Sequence, residues 1–361
     1  MPGEANRGGD ERPFGWYVNC GMPALGELAA VPLHFLFREA DAIIEAYQTG
    51  VPRLRELFGP DVEVCHPGWA HICYGHVNTL GCQFVFPDDS DVGVVPVYPS
   101  LNEGIDALQN EIDFAGSGMF PFYLALWAKL RNAFPEHQVP FAGLEAEGPL
   151  TTAWLLRGHD FFLDIHDNRD RAKAFLGAVT DSVIGYKRLL ASINGQPEFS
   201  GEGADIADDG ASMIHPDLWP ELVVPSLDQY YRGTTGGQRR AHIENLSVGH
   251  LRHLNELGIG LFDPSVSPKL TPALVRDHAR IPFLWRLSAM QLREMSEEQV
   301  ERWVFASAAD GPTSVFFHIE RITCNAPSAG KVRTFIRAAR RAEQLLAEGC
   351  PREELRGRCR V

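Results

Sequence analysis

The chain alternates between short apolar runs and longer stretches in which apolar residues recur every three or four positions. Helical spacing is clearest over residues 35–50 and 168–195, where glycine closes the last turn as a stop signal. Residues 328–349 repeat the spacing with a basic polar face. From residue 77 onward the apolar runs and the helical stretches follow each other in turn, with Gly, Pro, Asp or Asn at each junction. This alternation is typical of βα units.

Short apolar runs predict the strands. They comprise residues 77–89 (a strand or hairpin), 139–150, a run ending at Asp205, Asp208 and Asp209, then 241–246, 259–263 and 315–324. Such a chain fits a (β/α)8 barrel or an open doubly wound sheet. No Gly-x-Gly-x-x-Gly or Gly-x-x-x-x-Gly-Lys loop occurs in the sequence, which removes the usual nucleotide-binding reason for an open sheet. We therefore predict an α/β protein built as a (β/α)8 TIM barrel with an N-terminal extension.

Gly and Pro recur at short intervals near the start of the chain, and a basic stretch closes it. We expect residues 1–60 to form an arm and a helix that pack on or cap the barrel. Residues 61–345 would form the barrel itself. Residues 346–361 would be a basic C-terminal tail, more typical of a polar helix face and a loose end than of a docking site for an acidic partner.

Composition narrows the class of protein. Of 361 residues, 45% are hydrophobic and 22% charged, which is globular composition. A formal net charge of −14 repels a polyphosphate backbone, so we expect no nucleic-acid partner. Seven scattered cysteines do not form a disulfide pattern. No apolar run is long enough for a bilayer and the first residues are polar, so we expect a cytoplasmic protein without a membrane contact.

His242 and Glu244 close a predicted strand and share one face of it, because side chains alternate along a strand. Cys324 ends a later strand, and strand ends of one barrel meet at the same mouth. Imidazole, carboxylate and thiolate are all zinc ligands, and three of them with an open fourth position form a catalytic zinc site. The alternative is a hydrogen-bonded pair beside an ordinary buried cysteine.

Two further segments carry candidate chemistry. One is rich in metal-ligand types but has no familiar ligand spacing; it contains Cys65, His66, His71, Cys73 and His76. Its alternative is a loop whose histidines satisfy backbone groups. The other is the acidic segment 202–217, in which Asp208 and Asp209 could serve as a base or substrate clamp, or could simply belong to a solvated loop.

Several of these stretches together resemble the uroporphyrinogen decarboxylase superfamily, which includes zinc-dependent methyltransferases that use a corrinoid protein. Residues 77–108 look like its early segment, and GPLTTAWLLRG resembles its Gly-Pro-x-Thr turn before a helix. Residues 207–231 are similar to a strand and helix of the methyltransferase branch. CNAPSAGKVRTFIRAAR resembles the late pattern of the family. The resemblance covers most of residues 75–345.

The resemblance implies a (β/α)8 barrel and a ligand set for zinc. His242 stands where the family has the histidine of His-x-Cys-Gly, Glu244 replaces the cysteine, and Cys324 matches the later cysteine. The decarboxylase branch grips substrate carboxylates with an arginine-rich N-terminal segment. Here VPLHFLFREADAI holds only Arg38, which counts against porphyrin decarboxylation.

The function implied is transfer of a methyl group between methylcobamide, carried by a separate corrinoid protein, and a thiol or folate acceptor. Zinc would activate the thiol. In this hypothesis Asp209 and His215 are catalytic, with His215 shuttling a proton, while Glu147 and Asp208 bind substrate. The alternatives are a metal-free decarboxylase or lyase and an inactive barrel that acts as a binding protein. The sequence leaves the oligomeric state open, with a homodimer as one option.

Overall fold

The computed structural model describes residues 13–359. The helices are α1 (Met22–Ala29), α2 (Ala40–Phe58), α3 (Gly75–Thr79), α4 (Leu101–Leu108), α5 (Phe120–Ala133), α6 (Pro149–Arg157), α7 (Asp160–Asp167), α8 (Arg169–Ile193), α9 (Trp219–Thr234), α10 (Val248–Glu256), α11 (Pro272–Ala279), α12 (Ala289–Glu294), α13 (Glu297–Ala309) and α14 (Ala326–Ala347). The strands are β1 (Gly15–Cys20), β2 (Glu63–Val64), β3 (Gln83–Val85), β4 (Gly93–Val95), β5 (Gly203–Ala207), β6 (Gln238–His242), β7 (Ile259–Asp263), β8 (Leu284–Leu287) and β9 (Ser314–Ile319). Short 3-10 helices lie at Leu33–Phe37, Asp209–Met213, Pro216–Leu218, Arg321–Thr323 and Arg352–Arg358.

Most strands belong to two parallel sheets. One has the order β2-β1-β9-β8 and the other β5-β6-β7, and every pairing within them is parallel. β3 and β4 form a separate antiparallel hairpin, in the region where a strand or hairpin is predicted. Helices connect the successive parallel strands, as parallel pairing requires. The mixed α/β class predicted from the sequence is therefore confirmed.

Single contacts continue the parallel pairing beyond the two sheets. A parallel bridge between Phe262 and Phe283 joins β7 to the segment that leads into β8. Another pairs Ile72 with Leu144, inside the strand predicted at 139–150. The Gly148 amide donates to the Ala207 carbonyl of β5 at 2.6 Å. Since these pairings are parallel, the carboxyl ends of neighbouring strands lie at one edge.

The long helix α8 places its apolar stripe against the rest of the molecule. Phe175, Val179, Val183 and Tyr186 carry the helical spacing predicted for residues 168–195, and all four are buried. Complete burial of such a side chain stabilises the fold by about 1.5–3 kcal/mol relative to exposure. α8 contacts α9, α4 and α6, so this stripe fastens one group of helices around the core.

The N-terminal region differs from the predicted arm. β1 pairs along its whole length with β9, from Gly15 opposite Ser314 to Cys20 opposite Ile319, and it also pairs with β2. Residues 15–20 are thus an inner strand of the larger sheet. α1 and α2 pack against each other, and residues 1–12 lie outside the described residues.

The C-terminal tail is attached to the fold over most of its length. Leu355 in the last 3-10 helix is fully buried, and this helix packs on α13. Arg352 donates to the Ala308 carbonyl at 2.7 Å. The predicted loose tail is therefore corrected for residues 352–358. Over residues 13–359, no helix combines the length and apolar character that a membrane crossing demands.

Candidate functional site at the carboxyl ends of β5, β6 and β7

Three neighbouring strands deliver polar side chains to the same edge. Ala207, the last residue of β5, lies opposite His242 of β6, and His242 lies opposite Asp263 of β7. Because the strands are parallel and in this register, the residues that end them or follow them directly share one level. Asp208 and Asp209 follow β5 at that level.

His242 and Asp263 form a partly buried pair. The imidazole Nδ1 lies 2.9 Å from Asp263 Oδ2, and the side chains are 35% and 21% exposed. The other Asp263 oxygen accepts from the Ser265 amide at 2.8 Å, which fixes the carboxylate. Burial lowers the pKa of His242, but the hydrogen bond and charge of Asp263, with the charges of Asp209 and Glu244, outweigh it and raise the pKa overall.

Asp209 faces this pair from β5. Its Oδ1 accepts from the Glu244 amide at 2.7 Å and so holds the turn that follows β6. Burial raises the pKa of Asp209, while the Glu244 amide and the nearby His242 act in the opposite direction. Glu244 itself is half-buried and lies near both His242 and Asp209. These residues place carboxylates on both sides of one imidazole.

Glu147 reaches the site from the loop before α6. Its neighbour Gly148 is hydrogen-bonded to the end of β5, which sets the loop beside Asp209. Burial, together with the charges of Asp209 and Asp208, raises the pKa of Glu147 to about 8. Cys73 and His242 lie close by, and both oppose the rise. Glu147 therefore carries a proton near neutral pH.

Asp208, predicted to bind substrate, is fully buried. Its oxygens accept from the Leu150 amide at 3.1 Å, the Thr151 amide at 2.7 Å and the Thr151 hydroxyl at 2.8 Å. These amides belong to the first turn of α6, where backbone donors have no partner within the helix. The prediction for Asp208 is corrected: this carboxyl group fastens α6 to the end of β5.

His215, predicted to shuttle a proton, lies on the surface. Its side chain is 71% exposed, and Nδ1 accepts from the Asp217 amide at 3.3 Å at the start of a short 3-10 helix. The side-chain contacts that the structure gives His215 are with Asp217. In this arrangement the imidazole caps a turn, and it is not part of the cluster around His242.

The structure does not gather the predicted zinc ligands. Cys324 lies beyond the 3-10 turn that follows β9, and its Sγ donates towards the carbonyls of Ala24 at 3.6 Å and Glu320 at 3.5 Å. Burial raises the pKa of the Cys324 thiol to about 12, whereas zinc binds the thiolate. Within the described part of the chain, no group of three or more His, Cys, Asp or Glu side chains could hold a metal ion. His242, Glu244 and Cys324 therefore do not fit zinc.

The sequence analysis missed Asp263. It closes the predicted strand at 259–263, and the same criterion that selected His242 could have found it. Two other pairs also went unpredicted: His318 with Asn19, and Arg286 with Glu320 at 2.7 Å. Burial and the charge of Arg286 lower the pKa of His318 to about 4, so this ring is neutral. His318 lies on β9 and Asn19 on β1, while Arg286 lies on β8 and Glu320 directly follows β9. These two pairs extend the polar edge around His242.

The fold is shared with a solved enzyme. No family model matches this chain, and no curated protein matches it at the level of sequence. A solved structure described as a methyltransferase from Methanosarcina mazei matches over 92% of this chain and 94% of its own. The TM-score is 0.66 at 17% sequence identity. The two chains share a fold. At this sequence identity the likeness shows a common architecture alone.

Proposed function

We propose that this chain is a methyltransferase acting at the carboxyl ends of β5, β6 and β7 of a (β/α)8 barrel. The observation that carries the proposal is the His242–Asp263 pair, 2.9 Å apart, facing Asp209 and Glu147. The near-complete fold likeness to a methyltransferase supports both the barrel and the reaction class. The sequence resemblance to the uroporphyrinogen decarboxylase superfamily points in the same direction.

Methyl transfer by displacement needs an acceptor that has lost its proton and a leaving atom that can be protonated. His242 Nδ1 is held by Asp263, and no hydrogen bond within residues 13–359 engages Nε2. We assign Nε2 as the base that takes the proton of the acceptor. Asp263 orients the ring and stabilises the imidazolium that forms, as a carboxylate does for a histidine base.

Glu147 supplies the complementary acid. Because it is protonated near neutral pH, it can give its proton to the atom that loses the methyl group. For a thiol acceptor, the S–H proton passes to His242 Nε2 and the new S–C bond forms. When the corrinoid is the methyl donor, the electron pair of the broken bond would stay with that partner, which takes no proton. Glu147 acts as the acid when an oxygen, nitrogen or sulfur atom of a small molecule loses the methyl group. Exchange of protons with solvent then resets both groups.

The proposal contains no zinc step, because the predicted ligands do not come together. It keeps the separate corrinoid protein as one methyl partner, which when bound would supply or accept a cobalt-bound methyl group. The second partner is the thiol or folate acceptor. These partners rest on the resemblance and are tested below.

The metal-free decarboxylase is the weaker candidate. A polycarboxylate substrate needs cationic partners at the site. The edge instead carries the carboxyl groups of Glu147, Asp209, Glu244 and Asp263. Two nearby cations are already paired, Arg286 with Glu320 and Lys187 with Glu145. A site of this charge repels several carboxylates at once.

The test is an assay with free methylcobalamin and a panel of thiols and tetrahydrofolate. Loss of the cobalt–carbon bond is followed by absorbance, and the methylated product by mass spectrometry. We expect transfer to at least one acceptor, with no loss of activity after chelator treatment. Failure of every acceptor to demethylate the donor would refute the proposal.

A further inference from the structure

The cysteine- and histidine-rich segment 65–76, which the proposed reaction does not use, forms a wall of a cavity. The cavity has a volume of about 500 Å³. Its other walls are Gly21 with the start of α1, residues 91–92, and Pro140, Ala142 and Gly143. Volumes of this size are typical of sites for small organic molecules. The segment singled out in the sequence therefore surrounds a space that a substrate can enter.

The lining of the cavity is mainly apolar. Aromatic and aliphatic side chains dominate it, including Met22, Trp69, Ile72 and Val92. No Lys or Arg occurs among the described residues that line it. Gly143, with φ +87°, lies where an added Cβ would come within 3.0 Å of the Trp69 indole nitrogen, so the backbone can approach that ring only as glycine. These features favour an apolar occupant over an anionic one.

Two residues connect this cavity to the reaction site. Cys73 lines the cavity and lies close enough to Glu147 for this carboxyl group to raise the pKa of the thiol. Tyr74 lines it too, and the negative charges of Glu147 and Asp209 act on its phenol. Cys73 Sγ also lies 3.5 Å from His71 Nδ1. The polar end of the cavity is therefore the place where Glu147 would meet a heteroatom of a bound molecule.

The polar groups at that end carry no charge near neutral pH. Burial lowers the pKa of His71, which favours the neutral ring. Burial, aided by Glu147, raises the pKa of Cys73 well above its usual range, and burial raises that of Tyr74 to about 12. Asp91 is the one acidic residue in the described lining. An anionic ligand would find no counterion here, and burying an unpaired charge is costly.

We propose that this cavity binds the small-molecule methyl partner, an uncharged and mainly apolar alcohol, phenol or thiol whose X–H group lies at Glu147 and Cys73. The inference rests on the proposed function. R–X–CH₃ would give its methyl group to the corrinoid of the partner protein, which forms the new bond with its own electron pair. The electron pair of the broken C–X bond stays on X, and the proton of Glu147 converts X to R–XH. Tetrahydrofolate, with its carboxylates, would be excluded from this cavity.

The experiment compares three phenols that differ in charge: para-ethylphenol, para-hydroxyphenylacetate and tyramine. Dissociation constants are measured by ligand-detected NMR titration near neutral pH, without any methyl donor. We expect para-ethylphenol to bind at least about tenfold more tightly than the anion, a difference of about 1.4 kcal/mol. Tighter binding of tyramine than of para-ethylphenol would overturn the assignment of an uncharged ligand.

Two matched variants locate the binding site. Ala142 is exposed and lines the cavity, so Ala142→Trp fills it and should weaken para-ethylphenol binding at least about tenfold. Ala125 is exposed on α5 away from this cavity, so Ala125→Trp should leave the dissociation constant unchanged. Thermal melts check that both variants fold. Equal binding by wild type and Ala142→Trp would overturn the cavity assignment.

The binding test and the methyl-transfer assay distinguish failure of the cavity proposal from failure of the proposed function. If phenol binds and Ala142→Trp blocks it, yet no methyl group moves from any donor, the proposed function is wrong and the cavity remains a ligand site. If methyl transfer occurs and Ala142→Trp leaves the KM for the small-molecule methyl partner unchanged, the function stands and the cavity proposal is wrong.

Discussion

The predicted zinc ligands lie in two regions. His242 and Glu244 lie at the carboxyl ends of β5, β6 and β7, and Cys324 lies where the chain beyond β9 meets α1. The two regions position their side chains in different ways. His242 is the last residue of β6, and strand register sets it directly beside Asp263. Cys324 comes after a complete 3-10 turn beyond β9, where its thiol is directed at the carbonyl of Ala24 in α1. Both residues follow strands, yet only the first contributes to the cluster around Asp209 and Glu147.

The difference has a physical cause. A residue that ends a parallel strand inherits its position from the hydrogen bonds of the ladder, so its neighbours are those of the adjacent strands. Beyond an intervening turn the backbone no longer follows the ladder of hydrogen bonds. The direction of a side chain there is set by packing against the nearest element. For Cys324 that element is α1, so its thiol does not reach the cluster around His242.

The largest effect is expected from His242→Ala. Removing the base should lower kcat for methyl transfer by about 10²–10⁴-fold, the usual contribution of a positioned acid or base. The matched control is His215→Ala, which removes an exposed imidazole and should change kcat less than about twofold. Asp263→Asn should lower kcat by an amount between those of the two histidine variants. It should also shift the acidic limb of the profile of kcat against pH. Comparable losses in both histidine variants would contradict the assignment of His242.

The next largest effect is expected on stability, and it distinguishes a buried aspartate from an exposed one. Asp208→Ala removes the acceptor for three buried donors at the start of α6, so the free energy of unfolding should fall by about 2–4 kcal/mol. Asp217→Ala, which removes a carboxylate that is 76% exposed, should cost less than about 0.5 kcal/mol. Urea denaturation measures both. If the two variants unfolded at the same urea concentration, the anchoring role of Asp208 would be wrong.

These two comparisons also mark what the sequence could predict. The α/β class and the edge that carries His242 and Asp209 follow from strand endings alone. Nothing in the sequence distinguishes Asp208 from Asp209, because which of two neighbours turns towards α6 depends on a helix that starts far earlier in the chain. The same holds for Cys324, whose contact with Ala24 spans 300 positions. Asp263 could have been found, since it closes a strand as His242 does.

A smaller effect is expected from the protonation of Glu147. Its folded-state pKa of about 8 lies above the ordinary carboxyl value, so the folded protein binds this proton more tightly than the unfolded chain. The resulting stability is present at low pH and is lost as the pH rises from about 5 towards about 8. A tenfold difference in proton affinity corresponds to about 1.4 kcal/mol. Glu147→Gln should flatten this decline in unfolding free energy, measured by urea denaturation across the range. An unchanged slope in the variant would show that Glu147 is ionised in the folded state.

The smallest effect is expected at the other region. Cys324→Ala removes a thiol that contacts backbone carbonyls, so it should cost about 1 kcal/mol or less in stability and change kcat less than about twofold. Metal content by elemental analysis should be equally low in wild type and variant, because Cys324 and His242 do not share a ligand set. About one zinc per chain in the wild type, lost together with activity in Cys324→Ala, would mean that β9 and β6 do meet at a metal. In that case the turn after β9 would have to place the thiol towards the strand ends, and the contrast between the two regions would disappear.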